Sequence, residues 1–404
     1  MGMFTILDIG NSKTHCIVAN INFDSSEILS SIIHKTVGFS NGYVVDMNLF
    51  KESMYDIIFK AEQESKSVIN EVIIILNGPY ISEDQISAKI ILKDTPIKQE
   101  DLSKILEKSR LSSKDSIIIH SDVMQYQIDD GISINNPVGM IGQELKIRIR
   151  NIKSKFTPVQ NISICFNDIN VAVKDILFGN YILGYSYKTY SENGNFTAID
   201  IGSHLTKISI FENGIMQKHL TLPYGGDFIT NEISHSTKIP KSQAERIKIM
   251  YGSAINIGAY SDDDNILTTS LENDSIQVSK SRINNIISSQ INQMIELIRN
   301  EIVPQGDCLI LSGGTALLPH ITDKFQENID INVILPNFKQ TNKDFSRNRL
   351  SKTRFANLNA QNAMIIGAIN FLQLKSGMSG VKNNYDNKKN SFIKKILLWV
   401  NKRK

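Results

Sequence analysis

Apolar and polar positions along this chain repeat one order of elements twice. The apolar run Met3–Leu7 reaches Asp8, the polar turn Gly10-Asn11-Ser12-Lys13 interrupts it, and Cys16–Ile21 resumes an apolar strand. Phe50, Met54, Ile57, Ile58 and Ala61 then recur at helical spacing within residues 49–66. The run Val72–Leu76 reads as a buried strand, ended by Asn77-Gly78-Pro79. A second strand–turn–strand begins at Phe196, passes Asp200-Ile201-Gly202, resumes over Lys207–Phe211 and turns again at Asn213-Gly214. Ile283, Ile286, Ile287, Ile291, Met294, Ile295 and Ile298 predict one long helix over Lys280–Ile302. The strand Leu309–Leu311 then meets Gly313-Gly314, with a helix predicted to start directly after.

Between the two repeats, residues 83–160 alternate short strands with a helix near Glu100–Arg110, which reads as an inserted subdomain. Leu145-Lys146-Ile147-Arg148-Ile149-Arg150 alternates apolar and basic residues and predicts a strand with one solvated face. Residues 337–353 are polar and basic, a predicted loop, and Ala360–Leu374 reads as a helix. Residues 376–390 are rich in Asn, Lys, Ser and Gly and cannot bury a core, so they read as a flexible linker.

The chain has 404 residues, more than one compact core usually holds, so two or more domains are expected. The hydrophobic share of 41% and charged share of 21% suit a folded soluble protein. Cys16, Cys165 and Cys308 are widely spaced, without a metal or disulfide pattern, and read as reduced thiols. No secretory signal is expected, because Met1 leads straight into a strand, and Ala363–Leu372 is too short to span a bilayer. The net charge of +3 conceals an asymmetry: Val381–Lys404 carries eight basic residues against Asp386 alone, so the rest of the chain is acidic. A basic tail on an acidic body implies an anionic partner, nucleic acid or anionic lipid.

Chemistry concentrates at the turns. In both repeats a buried strand delivers a carboxylate, Asp8 or Asp200, just before a Gly-containing turn. Such a turn can aim backbone N–H groups at phosphate oxygens, and the carboxylate stands where a hydrated Mg²⁺ would bridge to them. One such turn is more often an ordinary hairpin; two in matching contexts suggest related domains serving one ligand. Lys13 could neutralise phosphate charge. At Gly313-Gly314-Thr315 the backbone could approach a ligand closely, although the turn alone reads equally as packing.

The ordered set of two phosphate turns and a Gly-Gly turn resembles the actin, sugar-kinase and DnaK-type superfamily. Within it the chain is similar to the FtsA family over nearly its whole length. Asp8-Ile9-Gly10-Asn11-Ser12-Lys13 resembles that family's first phosphate motif, and Asn136-Pro137-Val138-Gly139-Met140-Ile141-Gly142 resembles its characteristic insert. Pro223-Tyr224-Gly225-Gly226, Thr230 and Ala244-Glu245-Arg246-Ile247-Lys248 resemble the turn and the adenosine-side helix that follow the second hairpin.

The resemblance implies an α/β fold of two actin-like, RNase-H-like domains with nucleotide in the interdomain cleft, an FtsA-type insert and a C-terminal amphipathic helix. Domain I would comprise 1–82 and 162–194 (subdomain IA), the insert 83–161 (IC) and a returning helix at 356–375. Domain II would comprise 195–230 and 305–355 (IIA) and 231–304 (IIB). ATP would be contacted by Asp8, Gly10, Asn11, Ser12, Lys13, Asp200, Gly202, Ser203, Gly225, Gly226, Glu245, Lys248, Gly313, Gly314 and Thr315, with Mg²⁺ held through water by Asp8 and Asp200. The second turn departs from the family. Where glycines, Thr and often an acidic residue are usual, it reads Ser203-His204-Leu205-Thr206-Lys207. Thr206, Lys207 or His204 could supply donors there. No catalytic base stands out, so weak or absent ATP turnover is expected.

As an adaptor of that family, the protein would tether FtsZ filaments to the cytoplasmic face of the cell membrane at the division site. The FtsZ C-terminal tail would meet subdomain IIB. Self-association into filaments and contacts of later division proteins with the insert are implied as well. The rivals are a sugar- or acetate-kinase-type enzyme, which would need an acceptor-side carboxylate, and a pilus-assembly-type adaptor.

The last segment, 391–404, carries its own signal. Phe392, Ile393, Ile396, Leu397, Trp399 and Val400 share one arc of a helical wheel, with Lys394, Lys395 and Lys402 opposite. Fourteen helical residues reach only ~21 Å, short of a ~30 Å hydrocarbon core, so an interfacial membrane helix fits best. A helix docked on the protein's own core is the alternative. Nucleic acid is disfavoured, because the tail has no series of stacking aromatics and a large apolar face.

Overall fold

The computed structural model describes residues 2–92, 95–109, 115–187, 190–256, 265–271, 274–301, 303–337 and 358–378. Most of the expected loop at 337–353 and of the linker at 376–390 lies outside these residues, as does the whole terminal helix 391–404 with its membrane-facing set. The chain divides into two units, one of Met1–Phe23, Ile28–Phe178 and Gln373–Lys404, the other of Asp24–Glu27 and Gly179–Leu372.

The first unit runs β1 (Gly2–Ile9), β2 (Lys13–Ile21), β3 (Ser26–Lys35), β4 (Phe39–Ser40), β5 (Tyr43–Val44), α1 (Met47–Ser65), β6 (Glu71–Leu76), β7 (Ile81–Ile91), α2 (Gln99–Ser109), β8 (Ser116–Ile128), β9 (Ser133–Ile134), β10 (Glu144–Lys155), α3 (Phe156–Asp168) and β11 (Ala172–Phe178). One sheet has the order β11-β6-β1-β2-β3, with β1 antiparallel to β2 and parallel to β6. The expected helix is α1. Phe50, Met54, Ile57, Ile58 and Ala61 form its buried stripe, and the Asp46 carboxylate caps it by accepting the Asn48 and Leu49 N–H groups at 2.9 Å.

The insert forms a second sheet, β7-β10-β8-β9, on which Ile97, Leu102, Ile105 and Leu106 pack against Leu145, Ile147 and Ile149. Its main strands are 11, 13 and 12 residues long, not the short strands expected. The Asn136–Gly142 segment is held against the entry to α2 by Gly139 N–H donating to the Ile97 carbonyl and Ile97 N–H to that of Met140, both at 2.9 Å. One expectation for β10 fails. Lys146 and Arg148 face solvent, but Arg150 is only 2% exposed and pairs with Glu83 at 3.7 Å. The register of β10 against β8 shifts between Arg148 and Ile149, and beyond that irregularity both faces of β10 are covered.

The second unit contains α4 (Gly179–Tyr187), β12 (Phe196–Ile201), β13 (Thr206–Glu212), β14 (Ile215–Leu222), α5 (Gly226–Thr237), α6 (Lys241–Tyr251), β15 (Asn265–Thr269), β16 (Ser275–Ser279), α7 (Lys280–Glu301), β17 (Cys308–Ser312), α8 (Ile321–Gln326), β18 (Asn332–Ile334) and α9 (Ala363–Met378). Its sheet has the order β14-β13-β12-β17-β18. Here β12 is antiparallel to β13 and parallel to β17, and β17 is parallel to β18. This repeats the first unit's order, two hairpin strands on one side of the first strand and two parallel strands on the other. The core joins Ile199, Ile201 and Ile208 to Ile229, Ile247 and the stripe Ile283–Ile287–Ile291–Ile298 of α7.

One expectation changes in this unit. The helix predicted after Gly313-Gly314 is a three-residue 3-10 turn, Thr315–Leu317, and α8 begins only at Ile321. Too few peptide dipoles align there for a helix-dipole anion site. The second unit also takes in residues 179–187 and 363–372. Gly367 permits this packing, because a Cβ there would come within 2.2 Å of the Ile182 carbonyl oxygen. Ser186 and Asn370 tie α4 to α9 through the Ala363 and Tyr185 carbonyls.

Candidate functional site

The two Gly-containing turns close in the same way. Gly10 N–H donates to the Lys13 carbonyl at 3.1 Å, and Gly202 N–H to that of Leu205 at 2.9 Å. A side chain at either glycine would meet that carbonyl, at 2.7 and 3.1 Å from the Cβ. Each turn therefore joins a hairpin, β1–β2 or β12–β13, at the end of the strand that bears the aspartate.

In the first unit Asp8 is half-buried and stands opposite His15 in the β1–β2 register, while Ser12 and Lys13 are exposed. Asn11 has a structural duty: its Oδ1 accepts the Gly42 N–H at 3.2 Å and fixes the β4–β5 turn. His15 is buried, bonds Ser31 Oγ at 3.0 Å through Nε2, and is held neutral by desolvation, which lowers its pKa to about 4.

In the second unit more groups converge. Gly225 and Gly226 pack tightly on the turn, since a Cβ at Gly225 would meet the Ser203 and Gly202 carbonyls at 2.6 and 2.7 Å. The Gly226 and Asp227 N–H groups, at the start of α5, already donate to those same carbonyls. Thr315 Oγ1 reaches the Gly202 carbonyl at 3.4 Å, which brings the Gly-Gly turn alongside. Gly313 has φ +87°, and its Cβ would strike the Ile201 carbonyl at 2.4 Å, so only glycine fits there. Gly314 differs: it is exposed, and nothing lies within 4 Å of where its Cβ would be. It is the member of the pair that leaves room for a ligand.

Glu245 and Lys248, expected beside the adenosine, bind each other at 2.7 Å. Lys248 is 5% exposed, and its ammonium also donates to the Gly226 carbonyl and the Thr230 hydroxyl at 3.0 and 2.8 Å. This network cross-links α6 to the start of α5 and supports the glycine pair from below. Ser203 and His204 are likewise engaged: His204 Nδ1 is 3.0 Å from Ser203 Oγ, and its Nε2 is 3.3 Å from Asp227.

Asp200 already has two partners. Its Oδ1 takes the Lys207 ammonium at 2.9 Å, and its Oδ2 accepts from Ser312 Oγ at 3.3 Å. A metal ion here would share the carboxylate with a lysine cation. Among the described residues no group of three or more His, Cys, Asp or Glu side chains stands together as a metal site. Sequence reasoning passed over Ser312 and gave Lys207 only as a spare donor. The legible signal was the hairpin itself, because a four-residue turn places Lys207 opposite Asp200.

Two family models match the chain: the model described as cell division protein FtsA over residues 197–358, and that of the SHS2 domain inserted in FtsA over residues 78–153. The cell division protein FtsA of Pseudomonas aeruginosa is 23% identical over 337 residues, covering 80% of each chain. That of Bacillus subtilis is 25% identical over 341 residues, covering 82% of this chain and 78% of its own. Among solved structures, the PilM–PilN type IV pilus biogenesis complex matches with TM-score 0.61 at 13% identity, over 92% of this chain and 98% of that one. MreB5 of Spiroplasma citri bound to ADP matches with TM-score 0.52 at 12% identity, over 95% and 99%. These likenesses carry the actin-like fold.

Proposed function

Because the chain belongs to the FtsA family of cell-division proteins, we propose that it is an ATP-binding adaptor that tethers FtsZ filaments to the cytoplasmic face of the cell membrane. One observation carries the nucleotide reading. The second unit gathers a hairpin turn, a Gly-Gly pair and the open Gly314 backbone around the end of β12. The Gly202, Gly226 and Asp227 N–H groups hold the turn itself together, and the missing side chain at Gly314 leaves room for a nucleotide against that rigid backbone. The turn Gly10–Lys13 carries the same chemistry, with Lys13 as an exposed cation.

Turnover is expected to be weak. Ser203 and His204 crowd the turn where the family has glycine, and His204 is tied to Ser203 and Asp227. A kinase-type enzyme would need a free carboxylate at the reacting phosphate, and Asp200 is already engaged by Lys207 and Ser312.

The tether is assigned to 391–404, with Phe392, Ile396, Trp399 and Val400 entering an anionic leaflet and Lys394, Lys395 and Lys402 meeting its headgroups. The FtsZ tail is assigned to the region of α7. On that helix Arg282 already holds the Ser236 carbonyl and Gln290 the Tyr224 hydroxyl. The apolar residues Ile249, Met250 and Tyr251, exposed at the end of α6, are therefore the better contacts for such a peptide. Calorimetry tests the nucleotide reading. ATP should bind the wild type, and Gly314→Arg should weaken it at least about tenfold without lowering the melting temperature. Equal affinity in both proteins would refute the assignment.

A further inference from the structure

We propose that Lys207 stands in for the metal ion at the second phosphate turn, so that ATP binds there independently of divalent cations. This rests on the nucleotide reading above. The ion pair is built by the backbone. In the antiparallel β12–β13 hairpin, Asp200 and Lys207 are direct partners, on either side of the turn closed by Gly202 and Leu205. No long-range rearrangement is needed to bring them together.

The pair is also sheltered. The Lys207 side chain is 12% exposed and that of Asp200 7%. The other carboxylate oxygen is fixed by Ser312, whose hydroxyl sits between Asp200 Oδ2 and the Ile199 carbonyl, each at 3.3 Å. On the far side the Lys207 ammonium lies 3.9 Å from the Met364 sulfur. A lysine ammonium offers three N–H donors, and Asp200 Oδ1 takes one.

Mg²⁺ asks for something else. It binds at about 2.0–2.1 Å in an oxygen octahedron and keeps most of its water. A Mg²⁺ held at Oδ1, directly or through its own water, would lie beside the Lys207 ammonium, in a site with little solvent to screen the repulsion. The ammonium already neutralises the carboxylate, so a phosphate meets no net negative charge there and can use the ammonium's other N–H donors. A fixed cation also explains how ATP could be held where the water-ordering metal that hydrolysis requires is not.

The test uses the full-length protein and ATP, with affinity measured in excess Mg²⁺ and in excess EDTA, for the wild type, Lys207→Met and Lys207→Arg. The wild type should change less than about threefold between the two conditions. Lys207→Met frees Asp200 for the metal. It should bind at least about tenfold more weakly in EDTA and recover on adding Mg²⁺. Lys207→Arg keeps the charge and should remain metal-independent. Wild-type binding that collapses in EDTA overturns the proposal while leaving ATP binding intact. So does metal-independent binding that survives Lys207→Met unchanged. Absence of ATP binding by the wild type in both conditions removes the nucleotide reading itself. The wild-type comparison decides the matter even if Lys207→Met fails to fold.

Discussion

At Gly313 and Gly314 two adjacent glycines have different reasons to exist. Gly313 is required by its φ of +87° and by the Ile201 backbone against it, whereas Gly314 has open space where a side chain would be. Gly313→Ala should therefore destabilise the protein by on the order of 1–3 kcal/mol in denaturant titration, and Gly314→Ala should leave its stability unchanged. Equal losses from both would mean that the turn is only a packing device. His15 gives a second residue-scale prediction. Burial keeps its imidazole neutral down to about pH 4, whereas the unfolded chain takes up the proton near its ordinary pKa of 6.5. Between those values the unfolded state binds more protons, so stability falls as pH falls. The contribution lost between about pH 7.5 and about pH 5 is about 2 kcal/mol. Chemical denaturation of His15→Gln across that range should lack this component; an identical slope would refute it.

The elements owe their ends to particular side chains. Asp46 caps α1 through two backbone N–H groups, and Lys66 ends that helix in the left-handed region at φ +53°. Asp46→Ala should cost about 1 kcal/mol of unfolding free energy, and Asp46→Asn should restore most of it. Loss of the same size in both would point to the charge instead of the cap. The insert shows where element-scale reading was partial. Alternation correctly placed Leu145, Ile147 and Ile149 inside and Lys146 and Arg148 outside. It could not foresee that the register slips after Arg148 and that Arg150 enters the interior beside Glu83, whose carboxyl burial raises and Arg150 lowers. The turn after Gly314 taught the same lesson, because a strand, two glycines and Thr-Ala-Leu-Leu fit a helix start and a 3-10 turn equally well.

For the whole molecule, the proposed anchor should be separable from the body proposed to bind nucleotide. No described helix is long and apolar enough to cross a membrane. Trp399 is the only tryptophan, so its emission reports on the tail alone. Emission should shift to the blue when anionic vesicles are added, and Trp399→Glu should abolish vesicle co-sedimentation while leaving ATP affinity unchanged, since insertion would have to desolvate a charge. Lys394→Glu with Lys395→Glu should weaken binding chiefly at low salt. Emission that is already blue without lipid, and does not move on adding vesicles, would show a docked helix and end the anchor reading.

Several features were legible in the residues themselves: the two aspartate-bearing hairpins, the stripes of α1 and α7, the insert between the repeats, and the family. Each is local, a periodicity or a short motif whose physics is complete within a few residues. Tertiary structure decided which partners the motif side chains find. Asn11 bonds Gly42, Lys248 bonds Gly226, Thr230 and Glu245, and Asp200 bonds Lys207 and Ser312. A buried or half-buried polar side chain must find partners, and those partners come from strands and helices distant in sequence. The spacing of a motif thus announces which donors and carboxylates are present, while packing determines which partners they meet.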